Sequence, residues 1–478
     1  MGNVLKEKYN MDTTNMRMYR ARWRAREETD GSHTMSFNKL KIYGDMIMAK
    51  NSGNSFVIQY QNANNYGEMD AYGVVRVNPQ FKRMFICFDA CIQGFLKGCR
   101  PFIGLDGCHL KGVYGGVLVS AVSVDGNNRI FSIAYGVVES EGKDSWLHES
   151  IERCKDRSIG VIAPTIPLTF MTDKQKGLIE AISTIFPQAN HRHCSRHLHN
   201  NFKKVFGGMK AERNDAYDWL MKTPISMWSR HAFVHRAKSD HITNNMTESF
   251  NQWVGPCKDK SVLTLIDEIR SKLMGTLQKR FAKACNFEDV ITSRMKKKLD
   301  GFQKNVRYCR PTYCGRDKYE VQDQSVRYVV DMENNICECG IYIATRLPCK
   351  HVGACIQFNR VPLLQYCASY YTTKRYLMVH EAMIDPMYDL STLEEKFLLL
   401  PPFKRSIGRP NKLRKREPDE VPKGDTRKRS STVWCSKCNS FDHNRRTCTG
   451  PPVNEKRPSS SQKKRKARSD EPDDITSS

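Results

Sequence analysis

Four ligand-type residues at fixed spacing, Cys435-x2-Cys438-x4-His443-x4-Cys448, leave their stretch of chain little choice of fold. Three thiolates and an imidazole so close together suit a closed tetrahedral Zn²⁺ site. A loop this short cannot bury a core, so the metal would supply most of its folding energy. Lys437, Arg445 and Arg446 sit among the ligands as phosphate contacts would, and Trp434 and Phe441 offer stacking faces to unpaired bases. A second set, Cys337-x-Cys339-x9-Cys349-x-His351, follows the strand-like Tyr328-Val329-Val330 and the turn at Asn334-Asn335. Its second pair opens a predicted helix, Val352–Phe358, so a strand-turn and a helix start together make a workable tetrahedral cage.

The rest of the cysteine usage agrees with metal ligation. The chain holds 18 cysteines, opens on the polar, charged stretch Met1–Met11, and has no apolar run long enough to span a bilayer. An intracellular, reducing compartment is expected, where clustered cysteines serve as ligands rather than disulfides. A formal net charge of +26 points to a polyanionic partner, nucleic acid above all. The tail from Lys404 to Ser478 carries 21 Lys and Arg against 10 Asp and Glu, so it is the most basic region per residue, although the body is basic too. Lys463-Lys464-Arg465-Lys466 fits a nuclear localisation signal. Gly408-Arg409-Pro410 resembles half of an AT-hook, with Arg409 placed to lie along a minor groove, although Ile407 stands where such hooks usually carry another arginine.

Hydrophobic patterning divides the chain. Residues 1–100 read as a helical region. From Pro101 the texture turns to strands and helices: Phe102–Leu105, Val117–Val124 and Ile130–Val138 around the turn Asp125-Gly126-Asn127-Asn128, a helix Ser145–Cys154 with Trp146, Leu147 and Ile151 on one side, a strand Leu168–Met171 and an amphipathic helix Lys176–Phe186. That order suits an α/β layer on a mixed sheet. Residues 201–298 are mostly helical, with Val262, Ile266, Ile269, Leu273, Leu277 and Phe281 forming one stripe. A β-rich module spans 319–360, and 403–478 is a charged tail without a core-forming pattern, expected to be disordered around the Cys435–Cys448 island.

Acids stand where this layout would expose them. Asp106 follows the strand Phe102–Leu105, and Asp173 follows Leu168–Met171. Carboxylates at the ends of neighbouring strands can share divalent cations. A third candidate is Glu248, where Asn244, Glu248 and Asn251 form a polar stripe beside the packing residues Met246, Phe250 and Trp253. Spacing alone is weak evidence, since Asp106-Gly107 also reads as a turn and Asp173-Lys174 as a helix start.

Several blocks together carry a resemblance. Asp106-Gly107-Cys108-His109-Leu110-Lys111-Gly112 with Tyr114-Gly115-Gly116, Asp125–Asn128 with Ala134-Tyr135-Gly136-Val137-Val138, Thr172–Leu178, His193-Cys194-x2-His197-Leu198 and Asn245-x2-Glu248-Ser249-Phe250-Asn251 resemble, in order, the catalytic blocks of plant Mutator-like transposases. The set Cys337, Cys339, Cys349 and His351 resembles a SWIM zinc finger, and Cys435, Cys438, His443 and Cys448 a zinc knuckle. The resemblance implies an RNase H-like core with a helical insertion over 101–300. It also implies Asp106, Asp173 and Glu248 as a triad for Mg²⁺ or Mn²⁺, with DNA cleavage and strand transfer as the activity. It leaves Cys194 and His197 as accessory residues, structural or facing DNA.

One departure stands out. The first cysteine is Cys87 and the only histidine before His109 is His33, so no Cys/His zinc fold can be built upstream of the core. Members of the family usually carry such a DNA-reading module there, and its lack is expected to compromise autonomous transposition. Three functions therefore stay open: a retained nuclease and strand-transferase, a non-catalytic nuclear regulator like the far-red-impaired-response group, and a decaying transposon copy. The first two share DNA as partner, with single-stranded nucleic acid at the knuckle. No membrane partner is expected, and a homo-oligomer is compatible with either.

Overall fold

The structure is a computed structural model, and it describes residues 10, 14–30, 33–61, 80–112, 114–146, 168–206, 213–390, 393, 435, 437–438 and 448–449. The chain divides into two units, Met1–Asn201 with Asn214–Asn411, and Phe202–Arg213 with Lys412–Ser478. The first carries a large mixed sheet of β1 (Ser55–Tyr60), β2 (Phe81–Cys87), β3 (Phe102–His109), β4 (Val117–Val124), β5 (Ile130–Val138), β6 (Thr169–Thr172) and β7 (Asn190–His193). The strands lie in the order β1-β2-β5-β4-β3-β6-β7. Pairing is antiparallel from β1 across to β3 and parallel from β3 through β6 to β7.

Helices of five residues or more among the described residues are α1 (Asn15–Asp30), α2 (His33–Asn38), α3 (Leu40–Lys50), α4 (Asp89–Gly98), α5 (Lys176–Ile185), α6 (Ser195–Phe206), α7 (Arg213–Met221), α8 (Asn245–Trp253), α9 (Val262–Cys285), α10 (Ser293–Val306), α11 (Ile341–Thr345), α12 (Lys350–Asn359) and α13 (Thr373–His380). The near-continuous burial of β4 and β5 shows a sheet covered on both faces, which is why their sequences do not alternate. The β4–β5 turn closes on Asp125, whose Oδ1 accepts the N–H groups of Asn127 (2.9 Å) and Arg129 (2.8 Å). Asn128 takes the left-handed conformation there at φ 55°, as Asn tolerates.

The stripe on α9 faces the core. Val262, Ile266, Ile269, Leu273 and Leu277 are buried, and burying each such side chain contributes about 1.5–3 kcal/mol. Phe281, the last member, is half-buried. Of the expected helix Ser145–Cys154, the described part is a single turn, Lys143–Ser145, followed by buried Trp146. Leu147 and Ile151 lie outside the described residues.

Three expectations are corrected. Residues 1–100 are not helical throughout: β1 and β2 extend the large sheet, because Phe81–Cys87 is a buried run that pairs with β5. Strand β3 does not stop at Leu105. Its ladder with β4 runs on through His109, so Asp106 sits within the strand, opposite Ser120. The small β module begins at Cys309 rather than Tyr319: β8 (Cys309–Gly315), β9 (Lys318–Asp323), β10 (Val326–Asp331) and β11 (Ile336–Cys337) form one antiparallel sheet in the order β11-β10-β9-β8. This sheet has its own buried cluster, including Val306, Tyr319, Val321, Val330, Tyr342, Val352 and Ile356.

Candidate functional site

Strand register brings the acids together. Gly104 of β3 lies beside Met171 of β6, and Thr172 of β6 beside His193 of β7. Continuing both parallel ladders places Asp106, Asp173 and Cys194 at one level across three strands. A slip of one residue would turn each of them to the opposite face.

Helix α8 fixes the first acid. Asn251 Nδ2 donates to Asp106 Oδ2 (2.9 Å), and the Gly107 N–H donates to Oδ1 (2.9 Å). Two turns earlier, Asn244 Nδ2 donates to the Leu105 carbonyl (3.1 Å), so the polar stripe of this segment docks on β3. The close approach requires Gly104, where an added Cβ would meet Met246 Cε at 2.5 Å and Asn244 Oδ1 at 2.7 Å. Met246 and Phe250 are buried, with Trp253 packed partly against the core.

Burial, then the charges of Asp173 and Glu141, push the Asp106 carboxyl up to about 7. Glu141 is a further acid beside Asp106 that the sequence reading missed. Its Oε1 lies where a Cβ on Gly107 would come within 2.5 Å, and Gln175 Nε2 holds it by donating to Oε2 (3.0 Å) and to its main-chain carbonyl (2.9 Å). Burial raises the Glu141 carboxyl, His109 opposes that, and Asp173 adds to it. The available signal was its place just past β5, the same strand-end logic that singled out Asp173.

Asp173 has a second set of neighbours. Its Oδ1 stands 2.8 Å from His197 Nδ1. Asp173, then Cys194, favour the charged imidazole and raise the His197 pKa to about 10. Burial alone would push the Cys194 thiol up. His197 and the Asn244 N–H, 3.2 Å from Sγ, outweigh it and bring the thiol down. Asp173, Cys194 and His197 thus form a group whose ligand atoms lie within 4.8 Å of one another.

Glu248 is placed differently from the expectation that its carboxylate faces Asp106 and Asp173. Arg196 on α6 pairs with Glu248 Oε2, and its other terminal nitrogen donates to Asn245 Oδ1 (2.6 Å). The three acids do not form a mutual ligand group at the 4.8 Å spacing among the described residues. The cause is local: the first turn of α6 follows β7 and sets a guanidinium against α8.

Three observations now coincide: an acid inside a central strand, an acid after its parallel neighbour, and a Cys-x2-His element after the next. Residues 102–201 match the MULE transposase domain. The match supports a Mutator-like, transposase-related protein. It spans Asp106, Glu141, Asp173, Cys194 and His197, and ends before Glu248. None of the curated proteins matches the chain.

The Cys/His sets lie outside the MULE domain. Cys337, Cys339, Cys349 and His351 come together with their ligand atoms within 4.8 Å of one another. Cys337 Sγ lies 3.4 Å from Cys339 Sγ and 3.6 Å from His351 Nδ1, and Cys349 Sγ lies 4.0 Å from that nitrogen. Tetrahedral Zn²⁺ at ordinary bond lengths separates neighbouring ligand atoms by about 3.5–3.8 Å, so this set fits the ion. Gly340, at φ 76°, turns the chain from the first pair into α11, and Cys349 caps α12.

In the second unit, Cys435, Cys438 and Cys448 also converge within 4.8 Å. Lys437 donates its N–H to Cys435 Sγ (3.4 Å) and its ammonium to the Cys448 carbonyl (3.3 Å), an interaction that ties the loop's two ends. His443, Trp434, Phe441, Arg445, Arg446, Arg409 and Lys463–Lys466 lie outside the described residues. No helix among the described residues is long and apolar enough to cross a membrane.

Proposed function

We propose that the chain is a nuclear, DNA-directed protein of Mutator-like transposase origin, with an RNase H-like core and two structural zinc sites. The observation that carries the reading is the parallel ladder of β3 with β6, whose continuation past Gly104 and Met171 brings Asp106 level with Asp173 just after β6, inside the MULE match. Burial and then the charge of Asp173 raise the Asp106 carboxyl, and a divalent cation between the two acids would relieve that repulsion. In this reading Asp106 and Asp173 hold Mg²⁺ or Mn²⁺, and Glu248 joins them once Arg196 lets go. The bound ion supplies Lewis-acid stabilisation of a phosphodiester under attack. The protein's own part is positional. Asn251 and the Gly107 N–H aim the Asp106 carboxylate, and Gln175 holds Glu141 beside it.

Zinc at Cys337, Cys339, Cys349 and His351 gives the small β module its closure, and zinc at Cys435, Cys438, His443 and Cys448 folds the knuckle. The basic tail binds DNA or single-stranded nucleic acid through phosphate contacts, with Trp434 and Phe441 stacking on bases. The test of the catalytic reading is cleavage: the purified chain with Mg²⁺ or Mn²⁺ nicks DNA, and Asp106→Asn abolishes nicking. Metal-independent nicking, or none on any DNA tried, overturns it.

A second reading is favoured by one specific observation, the engagement of Glu248 by Arg196. A protein that never releases this carboxylate is a non-catalytic regulator of the far-red-impaired-response type. Its DNA binding and reporter activity would survive Asp106→Asn and Glu248→Gln, whereas loss of either activity in those variants excludes it.

A further inference from the structure

The geometry points to Asp323 as the positioning residue of the zinc ligand His351: its carboxylate accepts the Nε2 proton and leaves Nδ1 as the ligating nitrogen. The inference rests on the zinc reading of the Cys337–His351 set and adds what that set does not specify, which nitrogen binds and what holds the ring.

The two nitrogens of His351 have sharply different surroundings. Nδ1 faces sulfur, at 3.6 Å from Cys337 Sγ and 4.0 Å from Cys349 Sγ. Nε2 meets Asp323 Oδ2 at 3.1 Å, on a side where Cys309, Asp323 and His351 bring their ligand atoms within 4.8 Å of one another. A neutral imidazole carries one proton, and a metal can take only the nitrogen without it. A carboxylate at Nε2 therefore selects the tautomer that presents Nδ1 as a lone pair, and it makes that lone pair more basic.

The surroundings lock this choice. The His351 side chain is 4 % exposed and that of Asp323 10 %. Tyr328 stacks on the imidazole, with ring centres 4.1 Å apart and planes 22° from parallel, which fixes the ring's rotation. Asp323 ends β9 and pairs in register with Cys309 on one side and Val326 on the other, so its backbone is held by two ladders. Lys350, the first residue of α12, contacts the same Oδ2 at 2.6 Å. The carboxylate thereby joins the sheet to the helix that carries His351. These contacts also frame the competing explanation, in which Asp323 serves only as the counter-ion of Lys350.

The experiment uses the full chain, loaded with Zn²⁺ and titrated against a chromophoric chelator. Asp323→Ala is expected to hold this zinc about 10–100-fold more weakly while keeping the same stoichiometry at saturating Zn²⁺. Lys350→Met, which removes one partner of Oδ2 but leaves the carboxylate at Nε2, is expected to weaken zinc less than Asp323→Ala. Asp323→Asn, which keeps an acceptor oxygen without the charge, should fall between wild type and Asp323→Ala, and it serves if the alanine variant does not fold. Spectra of the zinc-loaded wild type with isotope-labelled histidine require no substitution and should show His351 metallated at Nδ1 and protonated at Nε2.

Wild-type affinity in Asp323→Ala, an equal loss in Lys350→Met, or metallation at Nε2 each overturns the inference. Failure of the zinc reading itself looks different: Cys349→Ala would then release no zinc equivalent relative to wild type.

Discussion

The acidic site and the small zinc module solve the same problem, convergence of ligand side chains, by opposite means. The metal-ligand set Cys337, Cys339, Cys349 and His351, proposed above to hold zinc, spans 15 residues and is brought together by one turn and one helix start. The acids come from β3, the loop after β6 and the loop after β5: the continued parallel ladder of β3 with β6 sets Asp106 level with Asp173, and the antiparallel run β3-β4-β5 brings in Glu141. The local solution fits its ion with all four ligands in place. The long-range solution sets Asp106 within electrostatic reach of Asp173 and Glu141 and leaves Glu248 engaged by Arg196. A locally encoded site is complete as soon as its segment folds, whereas one assembled from distant elements can be left partly engaged with alternative partners.

The largest effect that would sharpen this contrast is loss of a zinc ligand. Cys349→Ser should release one zinc equivalent and unfold the small module, read as new protease cuts within 309–360, while the large sheet stays protected. Loss of protection in both regions would show that the module is not an independently closed piece.

The large sheet should fail instead through its core. Ile266→Ala, at a fully buried position on α9, is expected to cost about 2–5 kcal/mol in urea unfolding and to leave zinc content unchanged. A cost below about 0.5 kcal/mol would contradict the burial of that stripe.

Acid should separate the regions as well. Burial holds the His191 pKa at about 4, so the folded chain keeps this ring neutral, while in the unfolded chain it takes a proton below about 6.5. His380, buried against Asp125 and near Arg280, is shifted down too. Their contribution is complete above about pH 6.5 and is lost as the pH falls toward 4. Melting of the large sheet should therefore drop through that window, with His193 and His241, also held at about 4, adding to the fall and Asp106, raised to about 7, partly offsetting it. His191→Gln should flatten the drop, and an unchanged profile would remove the assigned cause.

The smallest effect on stability, and the most informative about the site, belongs to Arg196→Gln. The pair with Glu248 is substantially exposed, so its loss should change stability by no more than about 1 kcal/mol. It should nevertheless tighten Mn²⁺ binding by freeing Glu248, with no such gain when Glu248→Gln is also present. Equal Mn²⁺ affinity in wild type and Arg196→Gln would show that Glu248 is no ligand.

The contrast also accounts for what could be read in the sequence. The two Cys/His sets were visible because their spacing is their geometry. Asp106 and Asp173 were visible as acids beside apolar strands, and the ordered blocks gave them weight. Glu141 was not, because Glu139-Ser140-Glu141 reads as a solvated loop and its place depends on Gln175, 34 residues away. Nor was the Arg196–Glu248 pair, a choice between partners 52 residues apart that no periodicity records. β1 and β2 pair with each other and were missed because β2 enters the sheet against β5 rather than against β3, the next strand in sequence.

The central claim is that Asp106 and Asp173 form a working divalent-metal site on a transposase-derived core. Mn²⁺-dependent nicking of supercoiled DNA by the full chain, compared with Asp106→Asn and Asp173→Asn at equal folding and equal zinc content, tests it directly. The account predicts nicking in the wild type alone. Equal activity in all three proteins, or none in the wild type across DNA substrates and metal concentrations, would contradict it.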